Sequence, residues 1–170
     1  STALGASGAL RVVSSDCSSA QAAEAIATLL EGAATPGWKP EGVSPTIVTV
    51  HGAPGSARST HCASIVSLLN ATSLNASDVM NADVSVGSPV GEKVSDVLSQ
   101  GKAVTHELYA ELLKEAMGGS SGPFVIDGWP EDGPGVEALS AAGVELTLAI
   151  ALDVPANVRA TRISERSEVS

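Results

Sequence analysis

Residues 51–60, His-Gly-Ala-Pro-Gly-Ser-Ala-Arg-Ser-Thr, have the make-up of a loop that wraps an anion. Glycines free the backbone so that successive N–H groups can converge, and a helix starting directly afterwards adds the positive end of its dipole. A phosphate loop normally carries Gly-Lys where this chain has Ala57-Arg58. Arg58 keeps the charge, but a planar guanidinium on a longer stem does not sit where a compact ammonium sits. Gly52, Gly55, Ser56, Ala57, Arg58, Ser59 and Thr60 are the candidate anion-binding residues. The other reactive side chains are dispersed. Cys17 and Cys62 lack paired or metal-type spacing and read as two unlinked thiols; His51, His61 and His106 form no ligand set, so no metal-binding residue is assigned.

Charge narrows the function classes. Acidic residues outnumber basic ones 19 to 9, for a net charge of −10, which opposes binding to nucleic acid or an anionic membrane. A local anion site survives this argument, because backbone N–H groups do not enter a charge count. No apolar run reaches the length of a membrane span. The chain opens on Ser rather than Met and ends within a charged helical pattern, so it is read as a piece of a longer polypeptide.

The loop needs elements to hold it. Residues 46–50, "TIVTV", form an apolar β-branched run typical of a strand buried on both faces, and it leads straight into the loop. "RSTHCASIVSLLN" then continues with helical spacing. Further helices are expected across "SDVMNADVSVGSPVGEKVSDVLSQGK", with a break near Gly87-Ser-Pro89, in "THELYAELLKEAMGG" and in "GPGVEALSAAG". "PFVIDGWP" and "ELTLAIALDVP" read as buried strands, and Pro155 opens a last helix. Upstream, "LRVVSSD" is a short strand and "CSSAQAAEAIATLLEG" a helix, separated from the rest by a Gly- and Pro-rich stretch. Alternating apolar strands and amphipathic helices predict a three-layer α/β domain with a parallel sheet. With 44% hydrophobic but only 2% aromatic residues, its core must be built from small side chains packed closely.

Taken in order, "GAPGSARST", "LNASDVMNADVSVGSPVGEKVSDVLSQGKAVT", "PFVIDGWPE" and "LDVPANVRATRISER" resemble the adenylate kinase family of nucleoside monophosphate kinases. The resemblance covers about 120 residues and implies a P-loop fold with a five-stranded parallel sheet. It also implies reversible phosphoryl transfer from Mg–ATP to AMP, with ATP or ADP and magnesium as the ligands. Asp127 matches the family's acidic residue near the magnesium and its waters, so Arg58 and Asp127 are the catalytic candidates. Arg162 and Arg166 match two arginines that contact ATP phosphates. Asp78, Asp153 and Pro155 are read as caps and turn formers, and Trp129 as packing.

Elsewhere the family pattern is eroded. Its loop reads Gly-x-Pro-Gly-Ser-Gly-Lys-Gly-Thr; Ala57, Arg58 and Ser59 replace the Gly-Lys-Gly. On the AMP side Ala76 stands where a threonine faces AMP, and Asn81 and Glu131 stand where two arginines grip its phosphate. Gly135 replaces the glutamine that reads the adenine. A phosphomonoester carries nearly two negative charges, and this pocket has lost two cations and gained an anion.

The expected organisation is a strand–helix over 1–31 resembling the end of a preceding adenylate-kinase-like domain, a linker over 32–45, and the main domain over 46–170. That domain is expected to be incomplete at the lid and the C-terminal strand. A second arrangement has the early strand dock beside residues 146–152 and complete this sheet itself. The expected function is a catalytically degenerate domain acting as a structural or interaction module, with other domains or subunits of a larger complex as partners. Nucleotide binding without transfer, and weak kinase activity, are the alternatives. The expected location is the cytoplasm, with a ciliary or flagellar assembly suggested by the family resemblance alone.

Overall fold

A computed structural model describes residues 9–14, 28, 46–118 and 122–167, with side chains left undescribed at 9–14, 166 and 167. Strand β1 (Ala9–Ser14) precedes the loop-bearing β2 (Ile47–Gly52) and its helix α1 (Arg58–Leu69). There follow β3 (Thr72–Asn75), α2 (Ala76–Val86), α3 (Pro89–Ser99) and α4 (His106–Met117). The chain then alternates through β4 (Phe124–Asp127), α5 (Gly133–Ala141), β5 (Leu148–Asp153) and α6 (Ala156–Ser167). The five strands form one parallel sheet in the order β1-β5-β2-β4-β3. The expected three-layer parallel α/β class is the observed one.

The strand bearing the loop lies at the centre, and its side chains divide the core by alternation. Ile47 packs with Leu74, Phe124, Ile126, Leu113 and Leu139 on one face. Val48 and Val50 pack with Val125, Leu148, Ile150, Cys62 and Ile65 on the other. The aromatic residues, Phe124 and Trp129 with Tyr109 against them, lie in the first layer, and the second is built without aromatics.

Local signals fix the helix starts. Asn75 accepts hydrogen bonds from Ser77 N at 3.0 Å and Asp78 N at 3.3 Å, so it caps α2 in the place expected of Asp78, which lies inside the first turn. Ser88 caps α3 with Pro89 following, and Asp132 caps α5 by accepting from Gly135 N at 2.9 Å. Strand β3 escapes periodicity altogether. Its four residues, Thr-Ser-Leu-Asn, include a single apolar side chain, and pairing to β4 is what makes it a strand.

The far edge departs from the expected gap. The sheet lacks no fifth strand, because β1 pairs with β5 in parallel from Ala9↔Leu148 to Ser14↔Asp153. Without it the buried β5 would present an unpaired row of N–H and C=O groups. Apart from this strand and Thr28, the segments 1–31 and 32–45 lie outside the described residues.

Candidate functional site

The loop leaves the C-terminal end of the central strand, where ligands bind in open α/β sheets. Gly55 takes φ +84° and its Cα lies against the α6 backbone, so that a Cβ would come within 2.7 Å of the Arg159 carbonyl oxygen. Position 55 therefore requires glycine twice over. Ala57, the N-cap of α1, also has a left-handed backbone (φ 58°), which a glycine would adopt at less cost. Ser56 N donates to Ala53 O at 3.0 Å, closing the turn. Among the described residues the buried Ser56 Oγ has no hydrogen-bond partner.

The loop lines an open cleft of about 960 Å³. Gly52, Gly55, Ser56, Ala57, Arg58, Ser59, Thr60 and Arg162 all line it, as do His51, Gly128, Glu131 and Ile163. Arg162 Nη1 donates to Gly55 O at 3.4 Å, so α6 brings a cation onto the loop. Arg166 belongs to α6, but its side chain lies outside the described residues. Residues 51 to 60 and 162, over a hundred positions apart, thus meet in one cleft.

Arg58 does not point freely into that cleft. Its Nε donates to Asp127 Oδ1 at 2.5 Å, and Nη1 donates to Gly52 O at 3.4 Å. Ser59 Oγ lies 3.5 Å from the second carboxylate oxygen. The guanidinium rests over Gly128, where a Cβ would approach Cζ to 2.8 Å. Asp127 was expected beside a magnesium ion and its waters; here a permanent cation holds that carboxylate. Among the described residues no group of three or more His, Cys, Asp or Glu could hold a metal. A divalent ion at Asp127 would meet a carboxylate already paired with a fixed cation, and on that ground the residues present do not fit it there.

His51 is shifted by the same surroundings. Burial, then the nearby Arg58 charge, lowers its pKa, while Glu131 raises it by a smaller amount. Its Nε2 lies 2.9 Å from Thr49 Oγ1. Burial pushes the Cys62 thiol up to about 12, which disfavours the reactive thiolate form of this unlinked cysteine.

A second cavity of about 350 Å³ opens on the other side of Arg58, between the start of α2, the start of α4 and the end of β4. Ala76, Tyr109, Trp129 and Asp132 line it, and Glu131 borders both cavities. Trp129 is buried and stacks at a tilt on Tyr109, 5.7 Å between centroids, as its packing role predicts. Of the four degenerate positions, Ala76 and Glu131 are brought together here. Asn81 lies exposed on α2, and Gly135 lies buried at the start of α5, with no room for a Cβ beside Pro130. Lining residues that the sequence did not single out include Ile163, Tyr109 and Asp132, and two histidines, His51 and His106. Both fall just before or at a helix or loop start, but nothing in their local sequence distinguishes them.

A family profile for adenylate kinase matches residues 50–169. The chain belongs to the adenylate kinase family. It is 32% identical over 127 residues to adenylate kinase isoenzyme 1 of Oryctolagus cuniculus, which covers 73% of this chain and 66% of that protein. The human enzyme of the same description matches to the same extent. A probable UMP-CMP kinase 1 of Arabidopsis thaliana is 30% identical over 135 residues, 78% of this chain and 64% of that protein. The chain thus spans a little under two thirds of the length of these relatives. Their named activities are those of nucleoside monophosphate kinases, and the fold described above is of that kind. Among the described residues, no helix is long and apolar enough to cross a membrane.

Proposed function

We propose that this is a catalytically degenerate adenylate-kinase-like domain, retained as a structural or interaction module of a larger protein assembly. The observation that carries this reading is the commitment of Arg58 to Asp127. Phosphoryl transfer depends almost wholly on positioning and on neutralising charge. Here the loop cation is held by a carboxylate, and the acceptor-side cavity carries Glu131 where a phosphate would need a cation. At an effective dielectric of about 20, a unit charge reversal about 4 Å from a phosphate is worth several kcal/mol, before solvent screening reduces it. Against that, the sheet and both core layers are continuous. A fold kept while its chemistry decays is what a module under selection for shape retains.

A second reading is favoured by one specific observation. Among the described residues Ser56 Oγ is buried without a partner inside the loop, and Arg162 reaches that loop at Gly55 O. A bound phosphate would satisfy such a group. In this reading the loop holds the phosphates of ATP or ADP and performs no transfer.

Calorimetric titration of the chain with Mg–ATP, then AMP, alongside a coupled assay for ADP formation, separates these readings. No heat with either ligand is the result expected of a purely structural module. Heat with ATP alone supports the second reading. Heat with both, together with ADP formation, would overturn both and leave a working kinase.

A further inference from the structure

We infer that the phosphate loop of this domain takes its ligand without a divalent cation, with the Arg58 guanidinium serving as the fixed counter-charge. This rests on the second reading above, that the loop holds a nucleotide's phosphates, and names the form in which it does so.

Three features of the site converge on this. First, the guanidinium bridges the loop and the end of β4, donating to Gly52 O on one side and Asp127 on the other. Second, both oxygens of the Asp127 carboxylate are engaged, one by Arg58 Nε and the other, more weakly, by Ser59 Oγ. That carboxylate side chain is only 9% exposed, so little of it faces solvent. Third, Gly128 lies bare beneath the guanidinium at φ +82°, leaving the space that the planar group fills. Arginine cannot shed its proton, so a hydrated divalent ion drawn toward this carboxylate would meet a fixed positive charge already paired with it. A lysine ammonium would be different, since its compact charge can reach a phosphate and leave the aspartate to metal-bound water.

The chemical class of ligand follows. The site fits a metal-free oligophosphate of a nucleoside, met in the cleft by the loop, Arg58 and Arg162. Triphosphates bind magnesium more tightly than diphosphates do. In magnesium-containing solution the metal-free species available is therefore chiefly the diphosphate, and the loop is a site for nucleoside diphosphate rather than for a Mg–triphosphate.

The test is calorimetric titration of the whole chain with ADP, once in excess EDTA and once in excess magnesium. The expected result is binding in EDTA at least as tight as in magnesium. Binding at least about fivefold tighter in magnesium would overturn the inference and leave the second reading standing. Absence of binding in both conditions would overturn the second reading and the inference with it. Asp127→Asn gives an independent sign. If Arg58 is the counter-charge, freeing it tightens ADP by about threefold or more in EDTA. If the carboxylate holds metal, the same change weakens ADP in magnesium. Arg58→Lys is expected to create a preference for magnesium that the unaltered chain lacks. An R58K variant whose ADP affinity stays independent of magnesium would count against the guanidinium as the cause.

Discussion

At the scale of single residues, Arg58 and Asp127 define what the site can do, and their pairing is a measurable energy. Removing Arg58 leaves a largely buried carboxylate unpaired, at a cost of about 1–3 kcal/mol. Arg58 itself is about a third exposed, so solvent screening places the effect near the low end. Arg58→Ala is therefore expected to destabilise by about 1 kcal/mol in chemical denaturation, and Asp127→Ala added to it should cost less than the sum of the two. His51 makes a second residue-scale prediction. Its folded-state pKa lies below that of the unfolded chain, so the unfolded state binds the extra proton. Its contribution is full above the unfolded value near 6.5 and fades as pH falls through it. The buried His61, shifted the same way by desolvation and by Arg162, adds to that slope. Thermal unfolding from about pH 7.5 down to about 5 should show falling stability, and His51→Asn should flatten the fall. On the acceptor side, Glu131→Arg with Asn81→Arg should raise AMP affinity by about tenfold or more in calorimetry, through restored charge-assisted contacts. Arg58, Asp127, Asn81 and Glu131 were legible as site candidates in the sequence, and His51 and His61 were not. The pairing of Arg58 to Asp127 was not, since no local pattern tells whether a long cation turns toward a ligand or back onto its own fold.

At the scale of elements, helix and strand positions were readable where periodicity, caps and glycines agreed. Helices α2 and α3 separate at Gly87, whose left-handed backbone ends the first, and Ser88 with Pro89 starts the second. Strand β3 was unreadable, because a half-exposed four-residue strand carries no alternation to detect and depends on β4 for its existence. The contact between α2 and α3 shows how a helical glycine can hold its position against propensity. Alanine at position 91 would gain up to about 1 kcal/mol of intrinsic helix preference. Its Cβ, however, would collide with the backbone carbonyl of Asp83, which cannot swing aside as a flexible side chain could. Overpacking of this kind costs about 1–3 kcal/mol, so Gly91→Ala is expected to destabilise on balance. A rise in melting temperature would show that the two helices can separate cheaply.

At the scale of the whole molecule, the loop, the two cavities and the central strand all depend on a sheet that closes from both ends of the chain. The alternation of strands and helices made the fold class legible. The sequence favours a sheet left incomplete at the edge beside β5, with closure by the early strand as the second arrangement, because a short apolar strand fits any parallel edge equally well. In the structure Ala9–Ser14 takes that edge. Deletion of residues 1–14 should therefore lower the unfolding midpoint or drive self-association through the bared β5 edge. Size-exclusion chromatography with thermal unfolding reads both outcomes. An unchanged, monomeric and equally stable chain would show that β1 contributes little.

The same edge strand sets a timetable for the chain as it is made. β1 leaves the ribosome ahead of the other four strands, yet its partner β5 emerges about 140 residues later, a delay of about 7–28 s at ordinary rates of synthesis. Throughout that interval the other four strands cannot finish their layer, and the nascent segment must wait uncommitted, open to any neighbouring sheet with a free parallel edge.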